Sequence, residues 1–370
     1  MKVILAVFGT RPEAVKLAPL LQELAQRDGV RLRVCVTGQH REMLDQVLAI
    51  FAIRPDDDLA LMTPGQTLPD LTARVLTGVA AILERDRPDA VLVQGDTTTA
   101  LAAALAAFYA RLPVGHVEAG LRTGDLALPF PEELNRRVVA LLARWHFAPT
   151  PRAAAALRRE GVREEAIHVT GNTEIDALLA TLRATAPPTW PFPSAGRRLV
   201  LVTAHRRENF GAPLAAVFGA LRELADRNPD IEIAYPMHLN PNVQGPARCI
   251  LGDHRRIHLL PPQPYAAFVH LMQRAALIIT DSGGIQENAP TLGKPTLVLR
   301  TKTERPEALE AGTARLVGTD AARILAEAER LLRDPAAYAA MARVANPFGD
   351  GMAARRIADI LVRDLCGDQL

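Results

Sequence analysis

Cysteine and lysine are both scarce, and no apolar run is long; the shortages narrow the class of protein. The three cysteines, Cys35, Cys249 and Cys366, are scattered, with no CxxC or Cys/His spacing. A disulfide framework and a zinc site are therefore not expected, and a reducing compartment fits. No apolar stretch has the uninterrupted length of a bilayer span, 101–110 being too short, so no membrane segment is expected. The chain opens directly on a strand-like run without a signal-peptide layout, which predicts a soluble, cytoplasmic protein. A formal charge of +2 with no basic cluster supplies no field for nucleic acid. Walker A, GxGxxG, GxSxG and HExxH patterns are missing, so ATP hydrolysis, dinucleotide binding, acyl transfer and zinc proteolysis lose their usual carriers. Only Lys2, Lys16, Lys294 and Lys302 are lysines, against 43 basic residues in all. Base composition accounts for that bias, yet Lys16 sits beside the first loop, where a compact ammonium differs from a guanidinium fork.

What is present is a βα rhythm. At 370 residues and 49% apolar, the chain exceeds what one core serves, and two domains are expected. Runs such as Ala90-Val91-Leu92-Val93 lack polar alternation and read as strands covered on both faces of a parallel sheet. Strand-like 3–8, 32–36, 90–93 and 114–117 alternate with helical 41–51, 72–85, 98–110 and 133–143. The proline-rich stretch 187–193 reads as a stiff linker or surface loop. After it the rhythm restarts at 198–203, 231–235, 257–260, 277–280 and 296–299. The fold class predicted is α/β, two Rossmann-like doubly wound domains facing a cleft. The boundaries expected are 1–166 and 167–351, with 352–370 forming a helix that packs back on the first domain.

The carboxyl ends of parallel strands are where ligands bind. Asp96 and Glu118 follow such strands, and Glu132 follows the stiff Pro129-Phe130-Pro131. One carboxylate after a strand is as often a helix cap; three in one half suggest a group whose members take acid and base roles. Thr280-Asp281-Ser282-Gly283-Gly284 follows a buried strand and opens a helix. Backbone N–H groups of Ser282, Gly283 and Gly284 can meet a phosphate there, although an ordinary tight turn reads the same. Arg11 in the first loop can clamp a diphosphate, and Arg305 more weakly so. His205 after the strand 198–203 either donates to a phosphate, moves a proton or caps. His254 and His258 have helical spacing but no third ligand, so no metal is expected. Phe268 is either core or a base-stacking ring.

These segments resemble the non-hydrolysing UDP-N-acetylglucosamine 2-epimerases from residue 2 to about 356. The motifs are FGTRPEA at 8–14, QHREMLDQVL at 39–48, GDTTT at 95–99, GHVEAGLRTGD at 115–125, PEELNR at 131–136, AHRREN at 204–209, HLNPNV at 238–243, DSGG at 281–284, GKP at 293–295 and NPFGDG at 346–351. The resemblance implies a glycosyltransferase-B type fold and interconversion of UDP-GlcNAc and UDP-ManNAc by inversion at C2. Family chemistry eliminates UDP to a 2-acetamidoglucal and re-adds it, without a cofactor. It implies Asp96, Glu118 and Glu132 as the acid/base group, roles unassigned, with Lys16 and His205 supporting the diphosphate or proton transfer. Arg11, Phe268, Ser282, Gly283, Gly284, Asn288 and Arg305 are implied UDP ligands. Gln39, His40, Gln66, Arg206 and His238 resemble a second site where many bacterial relatives bind UDP-GlcNAc as activator. A cytoplasmic homodimer serving cell-surface polysaccharide synthesis is implied too.

The sequence departs from the family pattern in three places. Asn288 stands where relatives place a ribose-binding acid, Gly65 replaces a basic residue near the activator site, and Gln94 replaces a common histidine. The alternatives are a C2 epimerase of another UDP-sugar, such as a 2,3-diacetamido uronate, a glycosyltransferase of the same fold, and a non-catalytic nucleotide-sugar sensor.

Overall fold

A computed structural model describes residues 1–38, 41–63, 65–192 and 196–367. The chain divides into two units, residues 1–184 with 348–370, and residues 185–347. In the first unit, β1 (Lys2–Phe8), β2 (Val30–Val36), β3 (Asp57–Asp58), β4 (Ala90–Gln94), β5 (Val114–Val117), β6 (Trp145–Ala148) and β7 (Ile167–Val169) form one parallel sheet. Its order is β3-β2-β1-β4-β5-β6-β7. The second unit holds β8 (Arg198–Thr203), β9 (Ile231–Pro236), β10 (Ile257–Leu260), β11 (Leu277–Thr280), β12 (Thr296–Val298) and β13 (Ala314–Leu316) in the order β10-β9-β8-β11-β12-β13. Both sheets are doubly wound, as the rhythm predicts. Each has a point where strand order reverses, between β1 and β4 and between β8 and β11, and such switch points open crevices at the strand ends.

The division of the chain differs from the expected one. Ile167–Val169 does not begin the second unit; it pairs with β6, His146 opposite Ile167 and Ala148 opposite Val169. The helix Thr173–Ala184 also stays with the first unit, which therefore ends at 184 rather than 166. Its partner, Trp-His-Phe-Ala, is four residues long with no alternation or β-branched run, so the sequence marks no strand beside which 167–169 could be placed. The return falls at Phe348 rather than 352, where the Phe348 carbonyl accepts from the Asn172 N–H at 2.8 Å. The helix Ala353–Cys366 then lies on the first unit: Asp176 accepts from the N–H groups of Ala353 and Ala354, and Asp359 pairs with Arg27 at 2.7 Å. Residues 187–192 are not a bare linker either. Phe192 is buried in the second unit, its ring stacked 4.6 Å from His258 and covered by Arg274.

Apolar side chains of the helices Leu68–Asp86 and Thr98–Tyr109 cover one face of the first sheet, packing Val75, Val79 and Ile82 against Val91 and Val93. No described helix is long and apolar enough to cross a membrane.

Two histidines interrupt this core. His116 on β5 and His146 on β6 are register partners, both buried. Burial pushes each imidazole down to about 4, and for His146 the neighbouring His116 adds to the effect. The neutral His116 donates from Nε2 to the Gly95 carbonyl at 2.8 Å. Because the folded values lie below the unfolded one, the pair's stabilisation is complete above pH 6.5 and is lost as pH falls toward 4. The urea midpoint is therefore expected to drop on acidification through that window, with a shallower drop in His146→Phe. Identical pH profiles for the two proteins would refute this.

Candidate active site

In the first unit, three loops leave adjacent strands β1, β4 and β5 at their carboxyl ends. Gly9 and Thr10 lead into the helix Arg11–Ala25, where Pro12 suits a first-turn position. Glu13, in that turn, is buried and reaches back to accept from the N–H groups of Gly9 (3.1 Å) and Thr10 (2.8 Å). Its other oxygen accepts from the Thr97 hydroxyl at 2.7 Å, tying the loop after β1 to the loop after β4. Burial pushes the Glu13 carboxyl up, against those hydrogen bonds. The Thr-x-x-Glu spacing of a capping box is the signal by which sequence reasoning finds this residue. It was not among the predicted site residues.

Glu118 follows β5 directly with φ +67°, a left-handed conformation unusual outside glycine. Its carboxylate is largely buried and pairs with the Lys16 ammonium through Oε1. Oε2 accepts from Gln94 Nε2 at 2.5 Å. Lys16 thus comes to Glu118 from a helix that starts at a different strand, and Gln94 from the last residue of β4. The loop holding Asp96 lies alongside, since a Cβ on Gly95 would stand 3.5 Å from Glu118 Oε2. Asp96 itself pairs with Arg136 at 2.6 Å, and the Asp96 carbonyl accepts from Asn135 Nδ2 at 2.8 Å. Glu132 opens the helix Glu132–Leu142 that carries Asn135 and Arg136. Its Oε2 is buried and meets no hydrogen-bond donor among the described residues, so this oxygen is uncommitted to the protein. Arg11 is half-buried at its helix start.

The second unit repeats the device at the β8/β11 switch point. Asp281, fully buried at the end of β11, accepts from the N–H groups of His205 (2.6 Å) and Arg206 (2.7 Å) after β8. His205 Nδ1 stands 3.2 Å from its other oxygen. Burial alone would raise the Asp281 carboxyl, but the His205 ring and these N–H groups hold it below the usual carboxylate range. The His238 ring stacks on His205 with centroids 5.4 Å apart. Burial and the neighbouring His205 lower the His238 imidazole, and its Nδ1 accepts from the Asn240 N–H.

The turn Ser282-Gly283-Gly284 follows, opening the short helix Gly283–Asn288. A Cβ at Gly284 would meet nothing within 4 Å, and one at Gly283 would stand 3.9 Å from the Arg305 guanidinium. Arg305 is aimed by an ion pair with buried Glu287, while Gln286 donates to the Ser282 carbonyl at 3.0 Å and accepts from Thr303 at 2.7 Å. Gln286 and Thr303 are further residues that the sequence alone does not single out. In a sequence a glutamine or glutamate on a helix reads as solvent-facing, and only the fold shows that Gln286 and Glu287 are buried and what they hold. Asn288 is buried in the same helix, and Phe268 is half-buried on the helix Tyr265–Arg274, outside the main apolar core.

The structure therefore gathers Lys16, Asp96 and Glu118 at one switch point, and His205, Arg206 and His238 with Asp281 at the other. Gln66 lies in the first unit, bonded to Thr63, and Arg206 and His238 in the second. Gln39 and His40 fall outside the described residues. Among the described residues no group of three or more His, Cys, Asp or Glu side chains has the arrangement of a metal site.

The sequence model of the UDP-N-acetylglucosamine 2-epimerase family matches residues 22–362. The UDP-N-acetylglucosamine 2-epimerase of Escherichia coli O157:H7 is 54% identical over 367 residues, 97% of this chain and 98% of that protein. The crystal structure of the Neisseria meningitidis UDP-GlcNAc 2-epimerase, bound to UDP-GlcNAc, aligns with a TM-score of 0.89 at 46% identity, covering 98% of this chain and 100% of that one. The Methanocaldococcus jannaschii enzyme, in complex with UDP-GlcNAc and UDP, aligns at 0.78 and 31% identity over 97% and 99%. The two doubly wound domains are of the glycosyltransferase-B type that these structures share. With acids and a lysine at one switch point, a glycine turn with an aimed arginine at the other, and a match across nearly its whole length, the chain belongs to the UDP-N-acetylglucosamine 2-epimerase family.

Proposed function

We propose that this enzyme interconverts UDP-GlcNAc and UDP-ManNAc by eliminating and re-adding UDP. The observation that carries the reading is the Lys16–Glu118–Gln94 cluster beside the Asp96 loop at the β1/β4 switch point. C2 of a glycosyl diphosphate has no adjacent carbonyl, so its proton is poorly acidic. Loss of that proton to a carboxylate is feasible when the C1–oxygen bond breaks in the same process and the electron pair leaves on UDP. A C1–C2 double bond results. Return of UDP to C1, with a proton delivered to the opposite face of C2, completes the inversion. The acids Asp96, Glu118 and Glu132 supply the proton transfers. The departing diphosphate needs preorganised donors, for which the reading assigns Arg11, Lys16, His205, Arg305 and the N–H groups of Ser282, Gly283 and Gly284. Phe268 and Asn288 are assigned to the uridine, with Asn288 offering hydrogen bonds without charge.

Incubation with UDP-GlcNAc in D2O is expected to yield UDP-ManNAc and deuterium at C2. If neither appears, the proposal fails, and sugar transfer to an acceptor without C2 exchange would establish a glycosyltransferase instead. Gln39, His40, Gln66, Arg206 and His238 are assigned to a UDP-GlcNAc activator, an assignment supported by the His238–His205 stack. Trace UDP-GlcNAc should then accelerate the reaction started from UDP-ManNAc; no acceleration removes the activator site. A cytoplasmic homodimer supplying polysaccharide synthesis completes the proposal, and a sedimentation mass of one chain would remove the dimer.

A further inference from the structure

The three acids are not held alike, and the difference lies in one side chain that the reading above leaves without a role. Arg136 sits one helical turn after Glu132. Its Nε and Nη2 both reach Asp96 Oδ2, at 2.9 and 2.6 Å, while Nη1 reaches Glu133 at 3.3 Å. Glu133 has no exposed side-chain surface and is itself pinned by the N–H groups of Thr123 (3.0 Å) and Gly124 (3.3 Å) and by Arg137. The guanidinium is thus anchored at one end on an immobile carboxylate and presents its other edge to Asp96. Asn135, the preceding residue, holds the Asp96 carbonyl. Among the described residues both Arg136 contacts fall on Oδ2, which leaves Oδ1 for a substrate atom. Two directions of contact from one cation require a planar fork, and a lysine ammonium cannot reproduce that.

We infer that Arg136 is a positioning residue for epimerisation: braced on Glu133, it fixes the rotamer of Asp96 relative to Glu132, which rides on the same helix. The inference rests on the proposed C2 chemistry and deepens it. Its consequence is a loss in kcat with little change in KM, because Arg136 acts through Asp96.

The test compares Arg136→Met and Arg136→Lys, each alone and combined with Asp96→Asn, by single-turnover and steady-state kinetics with UDP-GlcNAc. Arg136→Met is expected to lower kcat about 100-fold, the scale of a misplaced catalytic group, with KM unchanged within about threefold. Arg136→Lys should recover part of that loss. In the Asp96→Asn background, Arg136→Met should cost less than about a further threefold, since the group it positions is already disabled. Should Arg136→Met fail to fold, the Arg136→Lys pair carries the same comparison. Near-normal kcat in a folded Arg136→Met, or losses that multiply in the double variant, overturns the inference alone. Absence of C2 exchange by the unaltered enzyme overturns the proposed function, and this inference with it.

Discussion

Glu118→Gln is expected to lower kcat by about 10³-fold, within the range that general acid–base groups contribute. The substitution keeps the volume and the hydrogen-bonding outline of the side chain, and glutamine bears the same φ of +67° no worse than glutamate. What it removes is charge. The Glu118 side chain is 8% exposed and that of Lys16 15%, so each charge offsets the cost of burying the other. Neutralising Glu118 removes the charge that faces the nearly buried Lys16 cation, and breaking a buried ion pair from one side costs roughly 3–5 kcal/mol. A residue held in a left-handed conformation at the end of a buried strand is strained, and strain persists where a site requires it. Rapid-quench measurement of C2 deuterium wash-in reads the chemical step directly. A rate within tenfold of the unaltered enzyme would show that Glu118 only neutralises Lys16.

The largest stability effect is expected two residues further on. Gly120→Ala should destabilise the first unit by on the order of 3–5 kcal/mol, combining overpacking with a left-handed backbone penalty. Gly120 has φ +89°, and a Cβ there would overlap the carbonyl of Ala153, with the carbonyl carbon only 2.8 Å away. That obstacle is the backbone of the helix Pro151–Arg159, not the end of a flexible side chain. Gly124 is the natural control: its φ is +86°, yet a Cβ would meet nothing within 4 Å. Gly124→Ala should therefore cost about 1 kcal/mol, the conformational part alone. Urea denaturation of the two variants separates the effects. Equal losses would mean that the close approach of the Gly120 loop to the helix contributes nothing. Because this loop leads from Glu118, activity is expected to fall with stability in Gly120→Ala and to survive in Gly124→Ala.

Several features were legible without coordinates because they are local. Apolar β-branched runs mark β1, β4, β5, β8 and β11, and glycine-marked loops mark the strand ends where Asp96, Glu118 and Ser282 lie. Periodicity and turn chemistry act over a few residues, so a linear string carries them. The edge strand β3 was invisible for the same reason, being two aspartates that pair with Cys35 and Val36 only because the sheet reaches them. β7 reads as a strand from Ile167 and Val169, but its place in the first sheet depends on β6, a four-residue segment with no alternation or β-branched run to mark it.

Composition, the βα rhythm and the strand-end motifs were determined by the sequence itself, and with them the parallel α/β class and the family likeness. Only the tertiary structure decided which partner each acid has: Lys16 for Glu118, across 102 positions, and Arg136 for Asp96, across 40. It likewise decided that Glu13 and Asp281 are the buried carboxylates binding neighbouring loops at the two switch points. The physical reason is that electrostatic pairing and burial depend on distance in space, which the strand order sets, whereas propensity and periodicity depend on distance along the chain.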